Sequence, residues 1–223
     1  MINKKVLNIN DAISKIYNGS VILASGFGNA GAPNDLLEAI ATTDINNLTI
    51  VSNNAGEGNY GLAKLLKSGK VTKIICSYPI SSGSVIFQDL YNSGQIQLEV
   101  VPQGTLSERM RAAGAGIGAF FTPTSAQTKL GETKETRFIQ GVEHVLEYPL
   151  KGDIALIHAK KGDRLGNIIY DKSARNFGPV MAMAATTTIV QVEELVEVGQ
   201  IDPELIITPG IFVDYIFVYK KPS

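Results

Sequence analysis

The sequence has very little cysteine. Cys76 is the only cysteine among 223 residues, which excludes a disulfide within the chain. A single thiol is typical of proteins from a reducing compartment. Cys76 lies in the strand-like apolar run 73–78, which predicts a buried, unreactive side chain. We therefore expect a cytoplasmic protein whose cysteine takes no part in catalysis.

Charge and long hydrophobic runs are also scarce. Charged residues make up 18% of the chain and the net charge is −1, so no general attraction to nucleic acids or anionic membranes is expected. No apolar run reaches the ~18 residues that a membrane span needs. The two histidines, His144 and His158, have no Cys or His companions at metal-ligand spacing. We expect no metal site.

Short apolar runs alternate with helix-like segments through the first half of the chain. This rhythm predicts an α/β fold with a mainly parallel sheet covered by helices on both faces. The expected strands are 21–24, 48–52, 71–77 and 96–101, and the expected helices are 11–17, 33–40, 60–66, 85–91 and 106–113.

The second half begins with an irregular region near residues 122–142, which is polar and rich in turn-forming residues. Such composition predicts a loop or an edge hairpin. Apolar strands then resume at 144–146, 154–158, 167–170, 187–192 and 211–219, and a helix ends near 182–185. No repeat or low-complexity linker divides the chain, so residues 1–223 are expected to form one domain.

A glycine-rich turn follows the first expected strand. Gly26, Gly28 and Gly31 match the pattern G-x-G-x-x-G directly before a helix. Glycines let the backbone approach a ligand closely, and the N–H groups at a helix N-terminus bind anions. The pattern is as typical of an anion-binding site as of a tight structural turn without a ligand, and both interpretations stay open.

Two features of the sequence argue against a dinucleotide-binding site at this turn. An NAD site uses an acidic residue at the end of the second strand, where this chain has Asn53 and Asn54, with Glu57 a little beyond. Pro33 also stiffens the turn. An NAD(P)-binding oxidoreductase and a non-catalytic ligand-binding regulator remain the hypotheses from other classes.

Residues 18–33 resemble the N-terminal pattern of family I CoA-transferases in their A-type (alpha) subunit. That pattern is Asn/Asp-Gly, an apolar triplet, Gly-Gly-Phe and Gly-x-Pro, and this chain departs once, with Ser25 in place of the first glycine. Because serine is small, the loop should survive the replacement. The resemblance continues, in order, through segments 101–109, 113–124, 172–182 and 208–213, and it departs at 125–128.

Within the family, segments 53–66, 75–79 and 161–164 are similar to the 3-oxoadipate CoA-transferase branch. The succinyl-CoA:3-oxoacid (acetoacetate) branch is also similar, but less so over 53–90. The resemblance implies transfer of CoA from succinyl-CoA to a 3-oxo acid by a ping-pong mechanism. A coenzyme A thioester is then a substrate, and no permanently bound cofactor is expected.

The family's nucleophile is a glutamate of the B-type (beta) subunit, in a Ser-Glu-Asn/Ser-Gly segment. No such segment occurs here, because Glu57 is preceded by glycine and Glu108 is followed by Arg109. The resemblance therefore implies a chain without a catalytic nucleophile, inactive alone, that joins a B-type partner in an A2B2 assembly.

The same resemblance indicates which residues of this chain contribute to the site. The loop is expected to line the CoA site through backbone donors, and Gln103, whose other interpretation is a strand-end cap, to reach a substrate carbonyl with its amide. Arg109, Arg111 and Arg175 are interpreted as salt-bridge residues rather than ligands of the substrate. The loop consists of Ser25, Gly26, Phe27, Gly28, Asn29, Ala30 and Gly31.

Overall fold

The computed structural model describes residues 2–6, 8–81 and 83–219. Its helices are α1 (Ile9–Ile13), α2 (Asn34–Ala41), α3 (Gly61–Lys67), α4 (Val85–Asn92), α5 (Gln103–Gly114) and α6 (Gly178–Ala184). Its strands are β1 (Val21–Ala24), β2 (Leu48–Asn54), β3 (Val71–Tyr78), β4 (Gln97–Val100), β5 (Phe120–Thr122), β6 (Thr136–Ile139), β7 (Val142–Glu147), β8 (Gly152–Asp163), β9 (Ile168–Ile169), β10 (Ala185–Val196) and β11 (Tyr215–Val218).

The main sheet has the strand order β11-β10-β8-β1-β2-β3-β4, and all of these neighbours are parallel. Only β9 runs antiparallel, against the far end of β8. The chain builds β1 to β4 outward in one direction and then returns to the other side of β1 with β8. This arrangement confirms the predicted α/β fold with a mainly parallel sheet.

Both faces of the sheet are buried. Ile22, Ile50 and Ile74 pack on one face in a cluster with residues of α1 to α4. Their sequence neighbours Leu23 and Val51 point to the opposite face, in a cluster with residues of α5 and α6. Because successive side chains of a strand alternate between faces, a continuous apolar run fills both layers. The prediction of helices on both faces is confirmed.

The region predicted to be irregular contains a small antiparallel sheet of order β5-β7-β6. Strands β6 and β7 form a hairpin whose two turn residues are Gln140, with φ 50°, and Gly141, with φ 79°. A positive φ at both positions is what a two-residue hairpin turn requires. The hairpin therefore extends past the predicted region to Glu147.

Several predicted bounds are wrong. Helix α1 ends at Ile13, not at residue 17, and β11 begins at Tyr215 because Gly210–Phe212 forms a 3-10 turn after Pro209. Helix α5 begins at Gln103, three residues earlier than predicted, directly after Pro102. Proline is favoured at a helix start, where its missing N–H costs no hydrogen bond.

The strand order places a crevice at the carboxyl ends of β1 and its neighbours. In open α/β sheets, ligands bind where the chain switches direction along the sheet, here between β8 and β1. The glycine turn follows β1, and Gln103 follows β4 at the same edge. None of the helices in the described ranges is long and apolar enough to cross a membrane.

An ion-pair network ties β4 to the layers around it. Glu99 on β4 accepts from Lys73 Nζ at 2.6 Å and from Arg109 Nη1 at 3.1 Å. Arg109 Nε also lies 3.9 Å from the carboxylate of Glu147, which is 3% exposed and pairs with Lys134. Burial alone raises the pKa of Glu99, but the hydrogen bonds and charges of Lys73 and Arg109 outweigh it and lower the pKa.

This lowered pKa predicts a loss of stability in acid. A carboxylate whose pKa is lower folded than unfolded stabilises the fold above its ordinary value of 4.5, and that contribution is lost as the pH falls through the lower folded value. The Glu99→Gln variant should lack this dependence, so its stability deficit should shrink below pH 4.5. Urea unfolding followed by circular dichroism over a pH series measures the difference.

Glu132→Gln is the matched control, because Glu132 is exposed and has no ion pair among the described residues. A Glu99→Gln deficit that stays constant into acid would contradict the assigned pKa direction.

Candidate active site

A cleft of about 610 Å³ opens at the carboxyl edge of the main sheet. The residues lining it come from the glycine turn, the carboxyl ends of β2 and β3, the loop after β2 and the first residue of α5, and none of them is Lys or Arg. They are Phe27, Gly28, Asn53, Asn54, Glu57, Ser77, Tyr78 and Gln103. The sequence-predicted loop and Gln103 therefore meet in one place, although about 75 residues separate them in the sequence.

The amide of Gln103 is held by the neighbouring strands. Its Nε2 donates to Asn53 Oδ1 at 2.6 Å, and Ser77 Oγ donates to the same oxygen at 2.9 Å. Asn53 is only 4% exposed, whereas Gln103 is exposed. A primary amide nitrogen carries two hydrogens, so one of them fixes the orientation of Gln103 and the second can reach a group in the cleft. Gln103 is the first residue of α5, and its bond to Asn53 at the end of β2 is compatible with the strand-end cap of the other interpretation as well.

Asn53 and Ser77 line the cleft, and the sequence interpretation did not name them as site residues. They end two neighbouring parallel strands, and the carboxyl ends of such strands meet at one edge of a sheet. The position of polar residues at the ends of two predicted neighbouring strands is the sequence signal that could have identified them. The run Ser52-Asn53-Asn54 ends β2 with polar residues, in contrast to the apolar residues that precede it.

The glycine turn is a tight hairpin. Phe27 N donates to Ala30 O at 3.0 Å and Ala30 N donates to Phe27 O at 3.1 Å, around Gly28 and Asn29. Gly28 has φ 57°, a left-handed conformation that glycine adopts without steric cost. The side chain of Phe27 projects from the turn and is 54% exposed. The turn thus presents an aromatic ring and a glycine backbone to the cleft.

Ser25, the departure from the family pattern, stabilises the turn. Its Oγ donates to Gly31 O at 2.7 Å and accepts from His158 N–H at 3.1 Å. The residue is 4% exposed. The hydroxyl therefore joins the two ends of the turn to β8, and the loop keeps its shape without a glycine at this position.

Most backbone donors of the turn are already used. Ser25 N donates to Leu156 O and Gly26 N donates to Asn176 Oδ1, both at 3.0 Å, and the hairpin uses those of Phe27 and Ala30. The N–H groups of Gly28, Asn29 and Gly31 have no acceptor among the described residues. Any backbone contact between the turn and a ligand therefore falls to these three, of which Gly28 and Asn29 lie at the tip.

Two further expectations concern side chains away from the turn. Arg109 joins the network of Glu99, and Arg111 Nε pairs with Glu108 Oε2 at 2.9 Å on α5, so both are salt-bridge residues as interpreted. Cys76 is 0% exposed, and burial raises the pKa of its thiol to about 12. The predicted burial of the thiol is confirmed.

Glu57 is the one carboxylate among the residues that line the cleft. It accepts from Ser81 Oγ at 2.9 Å. In the described part of the chain, no three His, Cys, Asp or Glu side chains form a group that could hold a metal ion. Uncharged hydrogen-bonding groups and aromatic rings make up most of the cleft, which suits a carbonyl compound better than a free phosphate.

Comparison with known proteins gives a consistent result. A family model described as Coenzyme A transferase matches residues 6–219. The chain is 57% identical over 213 residues to the A-type subunit of 3-oxoadipate CoA-transferase from Pseudomonas putida, covering 96% of this chain and 92% of that protein. It is 43% identical over 213 residues to the A-type subunit of a probable succinyl-CoA:3-ketoacid coenzyme A transferase from Bacillus subtilis (strain 168), covering 95% and 89%.

Among solved structures, the acyl-CoA transferase of Escherichia coli O157:H7, a thioester complex with CoA, superposes with a TM-score of 0.86 at 23% identity. The match covers 99% of this chain and 50% of that one, so this chain spans about half its length. At this identity the likeness supports the fold.

Proposed function

Because this chain belongs to the coenzyme A transferase family, we propose that it is the A-type subunit of an enzyme that moves CoA from succinyl-CoA to a 3-oxo acid, with 3-oxoadipate as the preferred acceptor. The higher identity to the 3-oxoadipate enzyme than to the 3-ketoacid enzyme supports this acceptor. Acetoacetate is the alternative. The position of Gln103 in the cleft, oriented by Asn53, is the structural observation that carries the proposal.

The proposed reaction is ping-pong. In the B-type partner, a glutamate carboxylate attacks the thioester carbonyl of succinyl-CoA, and CoA leaves as the thiolate. The thiolate then attacks the glutamyl carbonyl of the resulting anhydride, which releases succinate and leaves a glutamyl-CoA thioester. The acceptor acid reverses these two steps. The free N–H of Gln103 stabilises the negative oxygen of a tetrahedral intermediate.

This role requires a partner that supplies what the cleft lacks. Among the described residues that line the cleft there is no cation for the substrate carboxylates, and the sequence lacks the family's Ser-Glu-Asn/Ser-Gly segment. We propose that residues 1–223 form one A-type domain, that it joins a B-type partner in an A2B2 assembly, and that the enzyme is cytoplasmic. CoA enters and leaves as a substrate, without a permanently bound cofactor.

Co-expression with the B-type partner tests the proposed function. The purified complex should transfer CoA from succinyl-CoA to 3-oxoadipate with a kcat/KM at least tenfold above that for acetoacetate, since a pocket contact to a specific polar group discriminates by about this much or more. A reversed preference would support the acetoacetate alternative. No transfer to either acid, together with binding of NADH in a titration, would overturn the transferase assignment in favour of the oxidoreductase hypothesis.

A further inference from the structure

A segment remote in sequence packs against the glycine turn. Asn176 follows a 3-10 turn, Lys172–Arg175, and precedes α6. Its Oδ1 accepts from Gly26 N at 3.0 Å and from Phe177 N at 2.6 Å. Its Nδ2 donates to Ala30 O at 3.2 Å and to Ala174 O at 2.7 Å. One side chain thus bonds both arms of the turn and its own segment.

The backbone of Asn176 shows that this arrangement is imposed by its surroundings. It has φ 31° and ψ −125°, a region that residues other than glycine rarely occupy and that persists only where contacts hold it. The turn is fitted just as closely, since a Cβ on Gly31 would lie 2.2 Å from Ala174 O and 2.6 Å from Asn176 Nδ2. The two segments are therefore packed closely against each other.

The bonded residues of the turn lie next to the part that faces the cleft. Asn176 holds Gly26 and Ala30, and between them Phe27 and Gly28 line the cleft. Asn176 itself is not among the lining residues. Its side chain can therefore affect the cleft only through the position of the turn.

We propose that Asn176 is a positioning residue for the acyl-CoA site, whose amide holds the glycine turn so that Phe27 and Gly28 face the bound thioester. The inference rests on the proposed function. It assigns to segment 172–177 a role in the site although this segment lies about 150 residues from the turn in the sequence.

Kinetics of the enzyme reconstituted with its B-type partner test this role. Asn176→Asp keeps the acceptor oxygen but loses both donors and sets a negative charge against two carbonyl oxygens. Asn176→Asp and Asn176→Ala should each lose about 10²-fold in kcat/KM for succinyl-CoA, as expected when a reacting group is misplaced by about 1 Å. Ser173→Ala, an exposed position in the same segment, should retain wild-type kinetics.

Asn176→Gly separates positioning from folding. Glycine relieves the unusual backbone conformation, so this variant should be at least as stable as Asn176→Ala, yet it should be equally slow because the amide is missing. Wild-type kinetics in Asn176→Gly or in Asn176→Ala would overturn the inference.

A spectroscopic readout is independent of turnover. The chain contains no tryptophan, so Phe27→Trp gives this chain a single fluorescent reporter within the turn. Adding Asn176→Ala should lower the fluorescence anisotropy of this tryptophan, and an unchanged anisotropy would overturn the proposed positioning role of Asn176. If the wild-type complex has no transferase activity, the proposed function is refuted. The role of Asn176 in holding the turn can still be tested, because the tryptophan reports the mobility of the turn without turnover.

Discussion

Replacing Gly31 with alanine is expected to cost about 3 kcal/mol of unfolding free energy and to remove most of the activity of the reconstituted enzyme. Gly31 has φ 73°, and a Cβ there would lie 2.2 Å from Ala174 O. A left-handed conformation costs a non-glycine residue about 1–2 kcal/mol, and forcing extra atoms into a packed site costs a further ~1–3 kcal/mol. The clash also pushes the turn away from Asn176, so function is lost together with stability.

Gly19→Ala is the matched control for this prediction. Gly19 has φ 82°, but nothing lies within 4 Å of a Cβ built there. It should show the conformational cost alone, about 1 kcal/mol, with wild-type activity. Urea unfolding and steady-state kinetics on both variants separate the conformational cost from the cost of the steric clash. Equal losses in the two variants would show that the close approach of segment 172–177 has no consequence.

Replacing Gln103 with alanine is expected to lower kcat of the reconstituted enzyme by about 10²-fold, with little change in KM for succinyl-CoA. Removing one preformed donor to a developing oxyanion has this effect, and an interaction made only in the transition state changes kcat rather than KM. Gln103→Glu should be slower still, because it replaces the donor with a negative charge beside the oxyanion.

The control for Gln103 is Gln97→Ala. Gln97 is an exposed residue at the opposite end of β4, away from the cleft. It should leave both kinetic constants unchanged. A Gln103→Ala enzyme that binds succinyl-CoA more weakly but turns over normally would assign Gln103 to substrate binding and contradict its role at the oxyanion.

The repeating strands and helices could be predicted because each is encoded locally. Residues 21–24 and 48–52 are short apolar runs between turn signals, and both are strands within two residues of the prediction. The strand predicted at 211–219 begins too early, because Pro209 and Gly210 favour a 3-10 turn over an extended chain.

The contacts that shape the site could not be predicted in the same way. The bond from Gln103 to Asn53 spans 50 residues, and that from Gly26 to Asn176 spans 150 residues. Such pairs depend on which strands become neighbours in the sheet, which composition and periodicity do not specify. The role of the Ser25 hydroxyl likewise needs the carbonyl of Gly31 and the amide of His158 beside it.

The most direct test locates the covalent intermediate. The complex of this chain with its B-type partner is incubated with succinyl-CoA without an acceptor, digested and analysed by mass spectrometry for a glutamyl-CoA thioester. The adduct should lie on a glutamate of the partner, and this chain alone should show neither adduct nor turnover. An adduct on this chain, above all at Glu57, the one carboxylate lining the cleft, would contradict a chain that shapes the site without supplying the nucleophile.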